Sequence, residues 1–296
     1  MIIWRNYLEI NKKMIFCFFN YLFKMSLNRP IWKLIDWIDV EKLDWKKISA
    51  NKNAIQLLEE NPEKIDWYSL SLNPNAIHIL EKNEDKINWT CLSKNKNAIH
   101  LLEKNPEKIN WNSLSINKNA IKLLEENPEE INWAYLSGNE NAIKLLEANP
   151  EEINWAYLST NKNTIHLLEK NPEKIDWINL SLNENAINLL EKNPEKIFWD
   201  DLAYNKNAIH LLEKNPEMIN WYIISRNKNA IHLLEKNPDK IDWKFLSANP
   251  SIFELDYEKM RINNQEMYED LIKEVMKPSR VFKNPEYDYL EELFGD

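Results

Sequence analysis

The chain has 296 residues, a net charge of −9, 13 tryptophans and only two glycines, Gly138 and Gly295. The acidic balance argues against a nucleic-acid backbone as the main partner, because proteins that bind one present basic stripes. Two cysteines, Cys17 and Cys91, are too few for a disulfide framework and fit a reducing compartment.

Residues 1–24 stand apart from the rest. Met14 to Phe23 (MIFCFFNYLF) is apolar but spans only ten residues, whereas a membrane-spanning helix takes about 20. Lys12 and Lys13 precede it, and no small-residue cleavage site follows. Three readings stand side by side: an upstream extension with Met25 as the native start, an apolar cap or anchor, and a secretory signal. Residues 25–44 (MSLNRPIWKLIDWIDVEKLD) read as a degenerate unit and are expected to form an N-terminal cap, with Ile38, Val40 and Leu43 on one face.

From Trp45 a 22-residue period takes over. Trp45, Trp67, Trp89, Trp111, Trp133, Trp155, Trp177, Trp199, Trp221 and Trp243 recur without insertion or deletion. Counting each Trp as position 1, position 4 is Leu or Ile in all ten copies, position 11 is Ile in the nine full units, and position 21 is always Ile. A fixed period of this size marks stacked repeats. Ala98, Ile99, Leu101 and Leu102 give one helical stripe, with Asn97 as N-cap candidate. Asn105 is placed to close that helix in a left-handed conformation, and Pro106 blocks continuation. A shorter helix or 3-10 turn fits the Trp segment, capped by Asp66 or Asn88 and ended by Ser and Asn at positions 5 and 7. No segment alternates with period 2, so no strands are expected.

Helices this short are marginal alone. Stacking buries their Trp, Ile and Leu residues in a continuous core. The fold class is therefore all-α, an α-solenoid of 22-residue two-short-helix repeats with N- and C-terminal caps. At about 8–10 Å per packed helix, the array would make a rod or arc on the order of 90 Å long. The solenoid is assigned residues 45–255 and a C-terminal helical cap or tail residues 256–296. In that tail Glu266–Met276 reads as an amphipathic helix bearing Met267, Leu271, Ile272 and Val275, and Tyr287–Phe294 as a second one.

The units, written LSxNxNAIHLLEKNPEKIxW, resemble the short Asn- and Trp-rich repeats of uncharacterised proteins of giant DNA viruses of amoebae, the mimivirus-like group. The opening IWKLIDWIDVEKLDW, the closing NPSIFELD and the tail phrase MKPSRVF are similar to the ends of those arrays. The resemblance covers about residues 30–285 and carries over no catalytic residue. It implies a viral protein acting in the host cytoplasm or packed in a virion.

Columns within the repeat invite chemistry. His78, His100, His166, His210 and His232 all fall at position 12. Equivalent atoms of successive units lie roughly 9–10 Å apart, too far to share one zinc ion, so a solvated polar column is the better reading. Glu fills position 15 in every full unit and is expected to pair with position 12, with a neighbouring unit or with an indole N–H. The Asn columns at positions 7, 9 and 17 are expected to serve as caps and inter-unit bonds. No phosphate loop, Cys-x-x-Cys, nucleophile elbow or zinc-protease motif is present. No enzyme activity, cofactor, metal, nucleic acid or membrane span is therefore expected.

Specificity must lie where copies differ, chiefly positions 2, 3 and 6. Tyr68, Tyr135, Tyr157, Asp200, Asp201, Tyr204, Tyr222 and Arg226 are the candidate protein-binding residues, because a Tyr-rich strip with a few charges is what protein-binding faces tend to show. The expected function is a non-enzymatic protein–protein interaction scaffold. The alternative is a structural spacer of a virus particle.

Overall fold

The computed structural model describes residues 30–275, apart from several side chains between 264 and 275. The apolar segment Met14–Phe23, the choice between Met1 and Met25 and the helix expected at Tyr287–Phe294 lie outside the described residues. Two compact bodies are present. One holds residues 34–254, and in the other, among the described residues, 30–33 come together with 255–275.

Each repeat builds two α-helices and a 3-10 turn. In the fourth unit helix A is Trp111–Ile116, helix B is Ile121–Glu126 and the turn is Pro128–Glu130. Helix A starts where the position-22 side chain stops the preceding extended segment. Asn110 accepts the Ser113 N–H at 2.9 Å, satisfying one otherwise free helix-end donor. Helix B departs from expectation. Its N-cap is Ala120, with no side-chain bond. The residue foreseen as cap, Asn119, instead sends its amide to the Lys96 carbonyl of the preceding unit. Asn127 closes helix B at φ −136°, not in the left-handed region. Its side-chain NH₂ donates to the Leu123 carbonyl at 2.8 Å, so a side chain does the work expected of backbone twist. Proline then opens the 3-10 turn as its first residue, where a missing N–H costs nothing.

The core is narrower than the apolar pattern implies. Position 4 (Leu70, Leu114, Leu136) and position 14 (Leu58, Leu102, Leu146) are wholly buried, with Ala at position 10 between them. The tryptophans and the position-11 isoleucines are mostly half-buried. A lysine at position 20 covers the open face of many indoles, as Lys64 does over Trp45 and Lys108 over Trp89, both at 4.5 Å.

A polar seam runs through every interface. The side-chain NH₂ of Asn117 donates to the carbonyls of Ser93 and Asn95 in the preceding unit, at 2.9 and 3.0 Å. The Ser115 hydroxyl donates to the Trp111 carbonyl and accepts the Asn132 N–H. These groups are buried, and no buried side-chain N or O among the described residues lacks a partner.

The stack closes on itself. Asn51, in the first unit, donates to the carbonyls of Ser247 and Asn249 in the last, at 3.1 and 3.0 Å. Asn53 donates to Pro250, and the Asp44 N–H donates to Ser247 Oγ. These are the bonds the internal interfaces make, save for the serine bond lost at Ala203, continued across about two hundred residues of sequence. The expected rod or arc is thus replaced by a ring of ten units. The 90 Å path becomes a circumference, placing facing A helices on the order of 30 Å apart between axes.

Residues 35–44 do more than cover an end. Val40–Lys42 forms the 3-10 turn that the tenth unit would otherwise lack. Lys42 lies over Trp243 at 4.9 Å, the place held by position-20 lysines elsewhere. Asp44 caps the first A helix, Trp45–Ala50. The tenth unit is therefore assembled from both ends of the repeat region. Two three-residue strands, β1 (Trp32–Leu34) and β2 (Phe253–Leu255), pair in a sheet the periodicity did not foretell. In the second body the Asp256 N–H donates to the Ile31 carbonyl, and Asp256 caps a helix spanning Tyr257–Val275, longer than the expected Glu266–Met276.

Candidate functional site

Successive A helices pack on one another, whereas successive B helices approach less closely. The A helices therefore occupy the shorter, inner circumference. Positions 2 and 6 are one helical turn apart and share the A-helix face turned away from buried positions 4 and 5, while position 3 flanks it and is buried at Ser69, Cys91 and Ser113. Tyr68, Asp200, Tyr204, Tyr222 and Arg226 hold positions 2 and 6 and are exposed, Tyr157 is exposed at position 3, and Tyr135 and Asp201 are half-buried there.

The ring brings some of them together. Tyr135 and Tyr157, from adjacent units, meet edge to face with centroids 5.5 Å apart. Tyr222 packs on Phe245 at 4.0 Å. Tyr204 and Arg226 line one cavity. Tyr68 stands 54% exposed, with Lys46 5.8 Å from its ring centroid. The neighbouring Cys91, through a side-chain hydrogen bond, lifts its hydroxyl above the ordinary tyrosine range.

Asp200 and Asp201 are partly committed to structure. Asp200 accepts the Asn220 side-chain NH₂ at 2.9 Å. Burial, and then the charge of Asp200, raises the Asp201 carboxyl above its usual value. Both line a groove with Phe198 and Met218.

The histidine and glutamate columns resolve into a ladder between units. His78 meets Glu59, His100 meets Glu81 and His232 meets Glu213, all at 2.9 Å. Of the expected roles for position 15, pairing with a neighbouring unit is the one these contacts realise. No ring contact of an indole N–H with this column is seen among the described residues. Nor do the described residues contain a group of three or more His, Cys, Asp or Glu side chains placed to hold a metal ion.

One column escaped sequence reasoning. Position 8 lies in the turn between helices A and B. Its backbone is pinned because the next unit's Asn bonds its carbonyl, as Asn141 does to Lys118. Position 8 is Lys52, Lys96, Lys118, Lys162, Lys206 and Lys228 in six of ten copies, flanked by asparagine at positions 7 and 9. That enrichment in an acidic chain was the available signal. Side chains at positions 6 and 8, from Leu72 round to Lys206, line a single cavity of about 590 Å³. No convex surface could bring seven successive units to one cavity, so these side chains converge on the inside of the ring.

Within the cavity Glu140 accepts Lys118 at 2.6 Å and also pairs with Lys162, while Glu184 pairs with Lys206. Burial alone would raise the Glu140 carboxyl, but hydrogen bonds from Lys118 and Lys162 outweigh it and hold the group below its ordinary value. The hydrogen bond that Lys162 donates to Glu140 outweighs desolvation and raises that ammonium in turn.

Among the described residues no helix is long and apolar enough to cross a membrane. No protein-family model, curated protein or solved structure matches the chain.

Proposed function

We propose that the ring is a non-enzymatic scaffold that binds a protein partner on the exposed face of its A helices. One observation carries this reading. Most of the variable side chains that stay exposed lie along adjacent A helices, where Tyr157 is 41% and Tyr222 51% exposed. Tyrosines held by neighbours offer large contact area at little loss of side-chain freedom. The resemblance to repeats of giant DNA viruses supports placing the protein in an infected host cell or a virion. Closure weakens the spacer alternative, because a stack whose first and last units satisfy each other cannot lengthen end to end.

A photo-cross-linking amino acid at Tyr157 or Tyr222, compared with one at the B-helix residue Lys104, tests the proposal. One partner captured from the A-face positions and not from Lys104 is expected. Equal capture from all three positions would remove its support.

A further inference from the structure

The inner cavity has a charge the chain as a whole does not. With the adjoining cavity of about 680 Å³, which shares Leu182, Glu184 and Lys206, it is lined by seven cationic side chains and two carboxylates. That excess of positive charge sits inside a chain whose net charge is −9. The two carboxylates are already engaged by Lys118, Lys162 and Lys206. Lys94, Lys96, Arg226 and Lys228 have no carboxylate within ion-pair reach among the described residues.

The architecture does not require these cations. Positions 4, 5, 7, 9, 10 and 14 hold the stack together, and copies with Pro74 or Pro250 at position 8 stack equally well. An ordinary solvated face mixes signs, as the B-helix surface does at Glu103 and Lys104 or Glu169 and Lys170. The inner wall instead carries a positive excess, seven cations against Glu140 and Glu184. A concave wall with such an excess focuses potential on its centre and repels itself when empty.

We propose that this cavity binds a compact polyphosphate anion. Each of the two adjoining cavities, about 590 and about 680 Å³, falls within the range of small-molecule sites, roughly 300–1,000 Å³. Lysines act as point-charge donors on flexible stems and suit phosphate oxygens that approach from several directions. Convergent ammonium groups from several units match clustered phosphates better than one carboxylate. Leu182 and Tyr204 add an apolar, aromatic wall beside Lys206 and Arg226. A nucleoside triphosphate could use that wall, whereas an inositol polyphosphate or inorganic tripolyphosphate would not.

Isothermal titration calorimetry of the full chain with tripolyphosphate, ATP and inositol hexakisphosphate, at constant ionic strength, tests the proposal. At least one should bind with one equivalent per chain. The inner triple variant Lys96→Gln, Arg226→Gln, Lys228→Gln should weaken that binding on the order of tenfold or more. The outer triple variant Lys104→Gln, Lys170→Gln, Lys214→Gln, with the same charge change, should leave it intact. Without ligand, the inner triple should raise the thermal midpoint by relieving repulsion, and the outer triple should not. Loss of ATP binding alone in Tyr204→Ala would assign a nucleotide, and no loss there would assign a phosphate cluster without a base. The proposal is overturned if none of the three binds up to about 1 mM, if both triples weaken binding equally, or if only a single-stranded oligonucleotide or an acidic peptide binds.

Discussion

The interface between the fourth and fifth units and the interface between the tenth and first are sealed by the same asparagine bonds, although the tenth unit carries the strand Phe253–Leu255 where the fifth has helix B. The former joins segments continuous in the chain, while the latter joins segments some two hundred residues apart. Asn139 donates to Ser115 and Asn117 at 3.0 and 3.1 Å, and Asn51 donates to Ser247 and Asn249 at 3.1 and 3.0 Å. Closure is therefore set by the buried Ser and Asn pattern and not by chain connection. A repeat that satisfies its neighbour through side chains cannot tell a covalent neighbour from a returning one.

The largest test of that equivalence removes the shared bond at each place. Asn51→Ala and Asn139→Ala each remove two hydrogen bonds donated to buried carbonyls and the side-chain oxygen that accepts the N–H of Asn53 or Asn141. Each should cost about 2–4 kcal/mol in urea unfolding. Equal losses would uphold the comparison. A negligible loss at Asn51 alone would mean that the first and last units do not meet in solution.

The eighth unit sharpens the comparison from the other side, because it lacks parts the others have. Phe198 stands where other copies carry Asp or Asn, and it offers no side-chain cap to Trp199–Leu202. Ala203 replaces the serine hydroxyl that would receive the Asn220 N–H. Phe198→Asp and Ala203→Ser should each stabilise the chain by about 1 kcal/mol, read from the urea midpoint at unchanged slope.

A smaller effect concerns pH. The Glu140 carboxyl is held below its ordinary 4.5 in the folded ring. Its contribution is fully present above that value and is lost as pH falls through the lowered one. The stability difference between the native chain and Glu140→Gln should therefore shrink between about pH 6 and about pH 3. A difference that stayed constant, or grew on acidification, would contradict the pairing with Lys118 and Lys162.

Much of the architecture was legible in the sequence. The 22-residue period, helix B and the buried leucines at positions 4 and 14 follow from helical spacing alone. Asp66 and Asn88 were recognisable as caps because a short polar side chain before an apolar run has few other uses. Closure was not legible. It depends on a rotation of about 36° per unit, set by how much nearer A helices lie than B helices, and small differences in side-chain packing decide it. One trace existed: DVEKLD, at 39–44, has the form of NPEKID, at 61–66, and so supplies the missing half of the last unit. Of the candidate site, positions 2, 3 and 6 drew attention in the sequence because they vary. Position 8 was not, because its lysines look like ordinary surface residues until the ring turns them toward one another.

Spin labels on the outward position 12 test closure most directly. In a background with Cys17 and Cys91 replaced by serine, one label pair joins Gln56 to His100 and another joins Gln56 to His232. In a ring of ten, both pairs are two units apart and should give closely similar distances by double electron–electron resonance. An open array would leave the first distance unchanged and stretch the second to roughly 70 Å, eight steps of about 9 Å, and that result would contradict the closed ring.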